Sequence, residues 1–236
     1  MSEPVRPSAF LEAHDALLLL RSRSLSVGLI RRIAATPEYV RHDRVRAALV
    51  LHPRTPRPIA IGLLPQLRWL DLLKATTTPS LPAPIALLAE RLLTQRLAEM
   101  ALGEKITLAR NASEGVVRAL RKESSPLLLR ALLDNPRFRA EDALDLAERE
   151  DTPAAFLRLL AECPRFRDRV DLRRALAGHP STPPQVALRL VLTMDGPELQ
   201  RLLQHPSAPP LIRVASERRL AGDQYKEGPG SPVFTS

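Results

Sequence analysis

The chain has 236 residues, 44% of them hydrophobic but only 3% aromatic, and carries a formal net charge of +9. Its single cysteine excludes an intrachain disulfide and any multi-cysteine zinc or iron–sulfur site. An apolar fraction supplied mainly by Ala and Leu favours close helix–helix packing over a sheet rich in β-branched and aromatic residues.

From the N-terminus, Leu17–Leu20 is a short apolar run between Asp15 and Arg21, far too short for a signal-peptide core or a membrane span. A cytoplasmic protein is the expectation. Beyond it the chain reads as short helices punctuated by proline, which is favoured in a helix's first turn and disfavours helix in the residue before it. Thr55-Pro56, Ser125-Pro126, Thr152-Pro153 and Thr182-Pro183 are predicted N-caps followed by the first helical residue. Ala35-Thr36-Pro37, Asp134-Asn135-Pro136 and Glu162-Cys163-Pro164 are predicted helix ends, each with an aromatic two residues later, Tyr39, Phe138 and Phe166, and Tyr39 and Phe166 are expected in equivalent buried contacts. In the middle segment the pattern predicts a long helix over 84–102, shorter ones over 106–111 and 115–122, and a pair over 125–134 and 141–148.

Residues 25–93 set against 152–220, an offset of 127, share 20 identities in 69 pairs. His52-Pro53-Arg54-Thr55-Pro56 falls over His179-Pro180-Ser181-Thr182-Pro183, and Pro79-Ser80-Leu81-Pro82 over Pro206-Ser207-Ala208-Pro209. Self-similarity at a long period is the mark of a repeat architecture. A shorter period of 27–28 residues relates Asn135-Pro136-Arg137-Phe138-Arg139 to Cys163-Pro164-Arg165-Phe166-Arg167. Each unit is then a helix–turn–helix pair that buries its apolar face only by stacking on neighbours. The prediction is one all-α domain over 1–221, a right-handed α-solenoid with duplicated halves 25–93 and 152–220 and connecting repeats 94–151. Gly222–Ser236, rich in Gly and Pro, is predicted to be a disordered tail.

The His-Pro-x-Thr-Pro and Asn-Pro-Arg-Phe signatures, followed by Ala/Leu-rich helices, resemble those of bacterial HEAT-like and variant leucine-rich repeat proteins. That resemblance implies a fold and a scaffold role rather than an activity. Variant leucine-rich repeat proteins can carry an N-terminal cysteine cluster, which this chain lacks, so no cofactor is expected. Some HEAT-like proteins are DNA glycosylases that use Trp, Asp and Arg on a concave face. Trp69 and Asp71 are present, but two residues apart they fall on different helix faces.

His52 and His179 occupy matched positions. They suit either a metal site or a base, or else a structural role in which each closes a helix at its last carbonyls. The latter is preferred because no acidic residue recurs beside both. Cys163, matched by Thr36 and Asn135, reads as a small polar helix-end residue rather than a nucleophile. No glycine spacing suits a phosphate cradle.

The basic charge has two readings. Thirty-one of 35 basic residues are Arg, a composition bias that local acidic partners would neutralise. Alternatively Arg41, Arg44 and Arg46, with Arg165, Arg167, Arg169, Arg173 and Arg174 in the matched region, form edges that contact duplex nucleic acid without base specificity. With no catalytic, cofactor or metal residues assigned, the leading expectation is a non-catalytic scaffold that binds another protein. Duplex nucleic-acid binding comes second and a glycosylase third.

Overall fold

The computed structural model describes residues 13–226, with side chains through Gly222. The described residues form sixteen α-helices and three short 3₁₀ turns, with no strand among them. By internal contacts the chain divides into two compact units, residues 1–119 and 120–236. The sequence gives no sign of this division, since its proline punctuation runs unbroken across it.

The first unit contains α1 (Ala13–Leu20), α2 (Val27–Ala35), α3 (Pro37–Val40), α4 (Asp43–Leu51), α5 (Arg57–Leu63), α6 (Trp69–Thr77), α7 (Ala83–Arg96) and α8 (Leu102–Asn111). Helices α1, α4, α6 and α8 pack in succession, and α5 packs on α7. Helix α9 (Glu114–Leu120) ends at the boundary. The second unit contains α10 (Pro126–Leu133), α11 (Ala140–Glu148), α12 (Ala154–Glu162), α13 (Val170–Gly178), α14 (Pro184–Leu192), α15 (Gly196–Leu203) and α16 (Pro210–Lys226). There α11, α13 and α15 pack in one row, and α10, α12, α14 and α16 in the other. Apart from α7 and α16 the described helices have ten residues or fewer, and isolated helices of that length are marginal in water. Burial between rows supplies the stability: Ile30, Val45, Leu49, Leu72 and Leu93 in the first unit, and Leu128, Leu132, Leu157, Leu172 and Leu199 in the second, are all almost fully enclosed.

Helix starts recur at a constant spacing. Ala13, Val27, Asp43, Arg57, Trp69 and Ala83 open helices in the first unit; Ala140, Ala154, Val170, Pro184, Gly196 and Pro210, each 127 residues later, open helices in the second.

Three local expectations differ from the structure. Ser125 is the N-cap of α10 with Pro126 as its first residue, as expected, but Thr55, Thr152 and Thr182 are not N-caps. Helices α5, α12 and α14 have Pro56, Pro153 and Pro183 at the cap position. Thr55 and Thr152 are buried, and each hydroxyl donates backward six residues, to Leu49 O at 2.6 Å and Leu146 O at 2.5 Å. The threonine thus adds a donor to a carbonyl in the last turn of the preceding helix, where the regular i+4 amide partner is missing. The long helix expected over 84–102 instead ends at Arg96, and after a 3₁₀ turn α8 starts afresh at Leu102. Glu104 marks the restart by accepting from the Ala101 N–H at 3.1 Å, a cap signal without proline. Finally, Phe166 is buried and packs edge-on against Phe138, with ring centroids 6.1 Å apart, whereas its counterpart Tyr39 is only half-buried. The position matching Phe138 is Leu11, outside the described residues. Helix α16 continues through Lys226, past the start of the predicted tail; residues 227–236 lie outside the described part.

Candidate functional site

His52 and His179 make the same bonds. Each is the C-cap of its helix, α4 or α13, and each is buried. His52 Nδ1 accepts from the Arg54 N–H at 3.2 Å, and its Nε2 lies 3.0 Å from Ser22 O. His179 Nδ1 accepts from the Ser181 N–H at 3.0 Å, and its Nε2 lies 3.0 Å from Arg149 O. With Nδ1 accepting, the proton must sit on Nε2, which donates to a carbonyl. Both ring nitrogens of each neutral imidazole are therefore occupied, leaving no lone pair for a metal or a substrate proton. The carbonyl reached is not one of the helix's own, as the sequence suggested, but one thirty residues upstream. Each ring clips two successive helix ends together.

The other candidates are similarly engaged. Trp69 Nε1 donates to Glu104 Oε1 at 2.9 Å, and Asp71 pairs with Lys74 at 3.0 Å. Cys163 is the half-buried C-cap of α12, its N–H bonded to Leu160 O. Among the described residues no group of three His, Cys, Asp or Glu side chains is placed to hold a metal ion, and no helix is long and apolar enough to cross a membrane.

Half of the eight candidate arginines are spent on protein groups. Arg46 pairs with Asp43 and donates to Val40 O and Arg41 O. Arg165 donates to Leu133 O, Asn135 O and Phe138 O, and its guanidinium lies over the Phe166 ring at 5.2 Å from the centroid. Arg169 binds Asp171 through two bonds, raising its own pKa and holding the Asp171 carboxyl below the ordinary carboxylate range. Arg173 pairs with buried Glu198 at 2.6 Å. Arginine also closes helix ends outside this set: Arg96 donates to Pro65 O and Leu67 O, and Arg213 to His205 O and Ala208 O. Carbonyls at helix C-termini carry partial negative charge, so cationic donors suit them. Much of the arginine therefore serves neither acidic neighbours nor a ligand but the turns. Sequence reasoning missed this because a backbone acceptor leaves no residue-type signal.

Arg41, Arg44, Arg167 and Arg174 remain without a carboxylate partner among the described residues. Arg41 and Arg44 converge with Arg68, His14 and His42 on a shallow cleft of about 510 Å³ in the first unit. Arg68 was not singled out from the sequence; it sits 24 residues from Arg44, and only the packing of α4 on α6 brings the two together.

Each unit also has a groove between matched helices. In the second unit the groove along α12, α13 and α14 has a volume of about 450 Å³. It is crossed by a charge network in which Glu162 accepts from Arg158 at 3.1 Å and faces Arg189 at 3.5 Å. The hydrogen bond from Arg158, with help from Arg189, holds the Glu162 carboxyl below its usual range. In the first unit the corresponding groove, about 290 Å³, is lined by Ala34, Ala35, Ile59, Gly62 and Leu63, with Arg31 at its edge. A β-carbon at Gly62 would meet nothing within 4 Å, so the groove is open where Arg189 fills its counterpart.

No family model, no curated protein sequence and no solved structure matches the chain.

Proposed function

We propose that the chain is a non-catalytic scaffold, a right-handed α-solenoid of stacked helix pairs built by internal duplication, which binds a protein partner through its extended helical surface. The observation that carries this is the constant offset of 127 between helix starts, together with the identical bonding of His52 and His179. An offset held over six helices, with the same buried ring making the same two bonds, is what copying a structural unit produces. Stacked helix pairs present long continuous faces, and a binding role uses these without chemistry of its own.

The residues first considered for catalysis support the same assignment, since His52, His179 and Trp69 bond to other parts of the chain and Asp71 pairs with Lys74 within α6. A glycosylase role for Trp69 and Asp71 would need both side chains free to meet a base, and each is tied to a different neighbour.

Duplex nucleic acid is the alternative partner, supported only by the cationic side chains left unpaired at Arg41, Arg44, Arg167 and Arg174. Affinity purification of the full chain, with and without nuclease, followed by size-exclusion chromatography separates the two. The scaffold role predicts a protein co-eluting at fixed stoichiometry after nuclease treatment. Recovery of nucleic acid alone, with retention that falls steeply as salt rises, would contradict it.

A further inference from the structure

Residues 13–93 contain twelve Lys and Arg against five Asp and Glu; residues 140–220 contain twelve of each. The difference is concentrated on one face. The cleft in the first unit gathers His14 from α1, Arg41 and His42 from the turn before α4, Arg44 from the first turn of α4, and Arg68 just before α6. Among the described residues that line it the one carboxylate, Asp43, is paired with Arg46. At the positions 127 residues later the second unit carries Glu141, Asp168, Arg169, Asp171 and Asp195. Four of the five basic residues are thus replaced by acids at the same places along the same series of helices.

Elementary electrostatics makes the second unit's choice the ordinary one. The start of a helix carries partial positive charge, and acids there are stabilising while cations are not. In the second unit Asp195 accepts from the Glu198 N–H at 2.8 Å and so caps α15. In the first unit the cap position of α6 is Arg68 and that of α4 is His42, and neither makes a side-chain cap bond, although each helix keeps one acid in its first turn, Asp71 and Asp43. Three guanidinium groups and two imidazoles crowd around two helix starts, an arrangement that works against the stability of the isolated protein. Composition bias alone does not place it there, because residues 140–220 hold as many basic residues and carry acids at four of the five matched positions, with Arg165 turned onto carbonyls and Arg173 onto Glu198. A concave site whose described lining sets three guanidinium groups against one carboxylate, itself already paired, is an arrangement that an anionic ligand would complete.

We propose that this cleft is an anion site, taking the phosphate group of a discrete phosphorylated ligand on Arg41, Arg44 and Arg68, with His14 and His42 at its rim. Guanidinium forks match the geometry of phosphate oxygens and bind them by paired, charge-assisted hydrogen bonds. The convergence of five side chains on one cleft, rather than their spacing along an edge, favours a single multivalent group over a tracked backbone. Among the described residues no Phe, Tyr or Trp lines the cleft. The proposal is independent of the identity of the protein partner.

The test is isothermal titration of the full chain with inorganic pyrophosphate at low ionic strength and neutral pH, alongside a random DNA duplex. The decisive variant is Arg41→Asp/Arg68→Asp, which installs the residues the second unit carries at those positions and so suits the local backbone. The control is Arg31→Asp/Arg91→Asp, which removes the same charge from exposed sites away from the cleft. Circular dichroism melting confirms that each variant is folded, and Arg44→Gln, which neutralises without reversing charge, serves should the double variant not fold. The site predicts saturable one-to-one pyrophosphate binding, weakened at least tenfold by Arg41→Asp/Arg68→Asp or by Arg44→Gln, and changed less than threefold by the control. Equal losses in the decisive and control variants, or no saturable binding, would overturn it. So would tight duplex binding without pyrophosphate binding, which would instead indicate an extended phosphate track.

Discussion

The face built on α1, α4 and α6 and the face built on α11, α13 and α15 share their helix starts and differ in their charge. What is kept between them is what closes helices: His52 and His179, each bridging an amide two residues ahead and a carbonyl thirty residues behind. What is changed is what solvent sees, with His14, Arg41, Arg44 and Arg68 on one face and Glu141, Asp168, Asp171 and Asp195 on the other. The lesson is that turns which satisfy buried backbone groups tolerate little, because an orphaned amide or carbonyl costs about 1–3 kcal/mol. Exposed charges cost far less to alter, and it is there that the two matched series of helices differ.

The largest contrast should come from the aromatic pair. Phe166→Ala removes a buried ring packed on Phe138 and is expected to cost about 3–5 kcal/mol in urea unfolding. Tyr39→Ala, at the matched but half-buried position, should cost less than half of that. Equal losses would mean that the two turns are packed alike after all.

The histidines should instead behave as a matched pair. His52→Ala and His179→Ala each leave one amide without its acceptor and take a second donor from a carbonyl that keeps a backbone N–H, Leu25 or Thr152, and each is expected to lower stability by about 1–3 kcal/mol. Agreement within about 0.5 kcal/mol, measured by the same unfolding assay, would sharpen the equivalence. A large loss at one and none at the other would break it.

Much of this frame was legible in sequence. Proline spacing and the 127-residue offset predict short helices, and the described residues are helical with no strand. The turn chemistry was less legible. Thr55 and Thr152 look like N-caps because Thr-Pro is a common start signal, but their hydroxyls bond backward, a direction that residue type does not encode. The break at Met100 has no proline to announce it and depends on Glu104 reaching the Ala101 amide. The cleft was half-legible: Arg41 and Arg44 are neighbours in sequence, whereas Arg68 joins them only through helix packing. The expectation that local acids would neutralise the arginines held for Arg46 and Arg169 but not for Arg165, which spends its donors on three carbonyls.

Charge exchange between the faces has a smaller expected effect on stability, of opposite sign for the two directions. Arg68→Asp should stabilise the protein by about 0.3–1 kcal/mol at low salt, because an acid replaces a cation at a helix start. Asp195→Arg should destabilise by more, since it also removes the bond to the Glu198 amide. Thermal melting at low and high salt checks both, and the gain from Arg68→Asp should shrink as salt screens it.

The smallest effect concerns pH. Asp171 has a folded pKa below its unfolded value because Arg169 hydrogen-bonds its carboxylate. Its contribution is present above the unfolded carboxylate pKa of about 3.9 and is lost as pH falls through the lower folded value. The pair is partly exposed, so the loss should be under about 1 kcal/mol. Asp171→Asn should flatten the acid limb of the stability–pH curve by no more than that.

The most direct measurement is hydrogen–deuterium exchange of the full chain with and without pyrophosphate. The account predicts similar slow exchange at the two histidine turns, residues 51–56 and 178–183, in the free protein. On adding pyrophosphate, new protection should appear around residues 13–17, 41–47 and 68–73 and not around their counterparts at 140–144, 168–174 and 195–200. Unequal exchange at the two turns, or protection appearing at the acidic face, would contradict the claim that one helical frame is used twice and set apart by its surface charge.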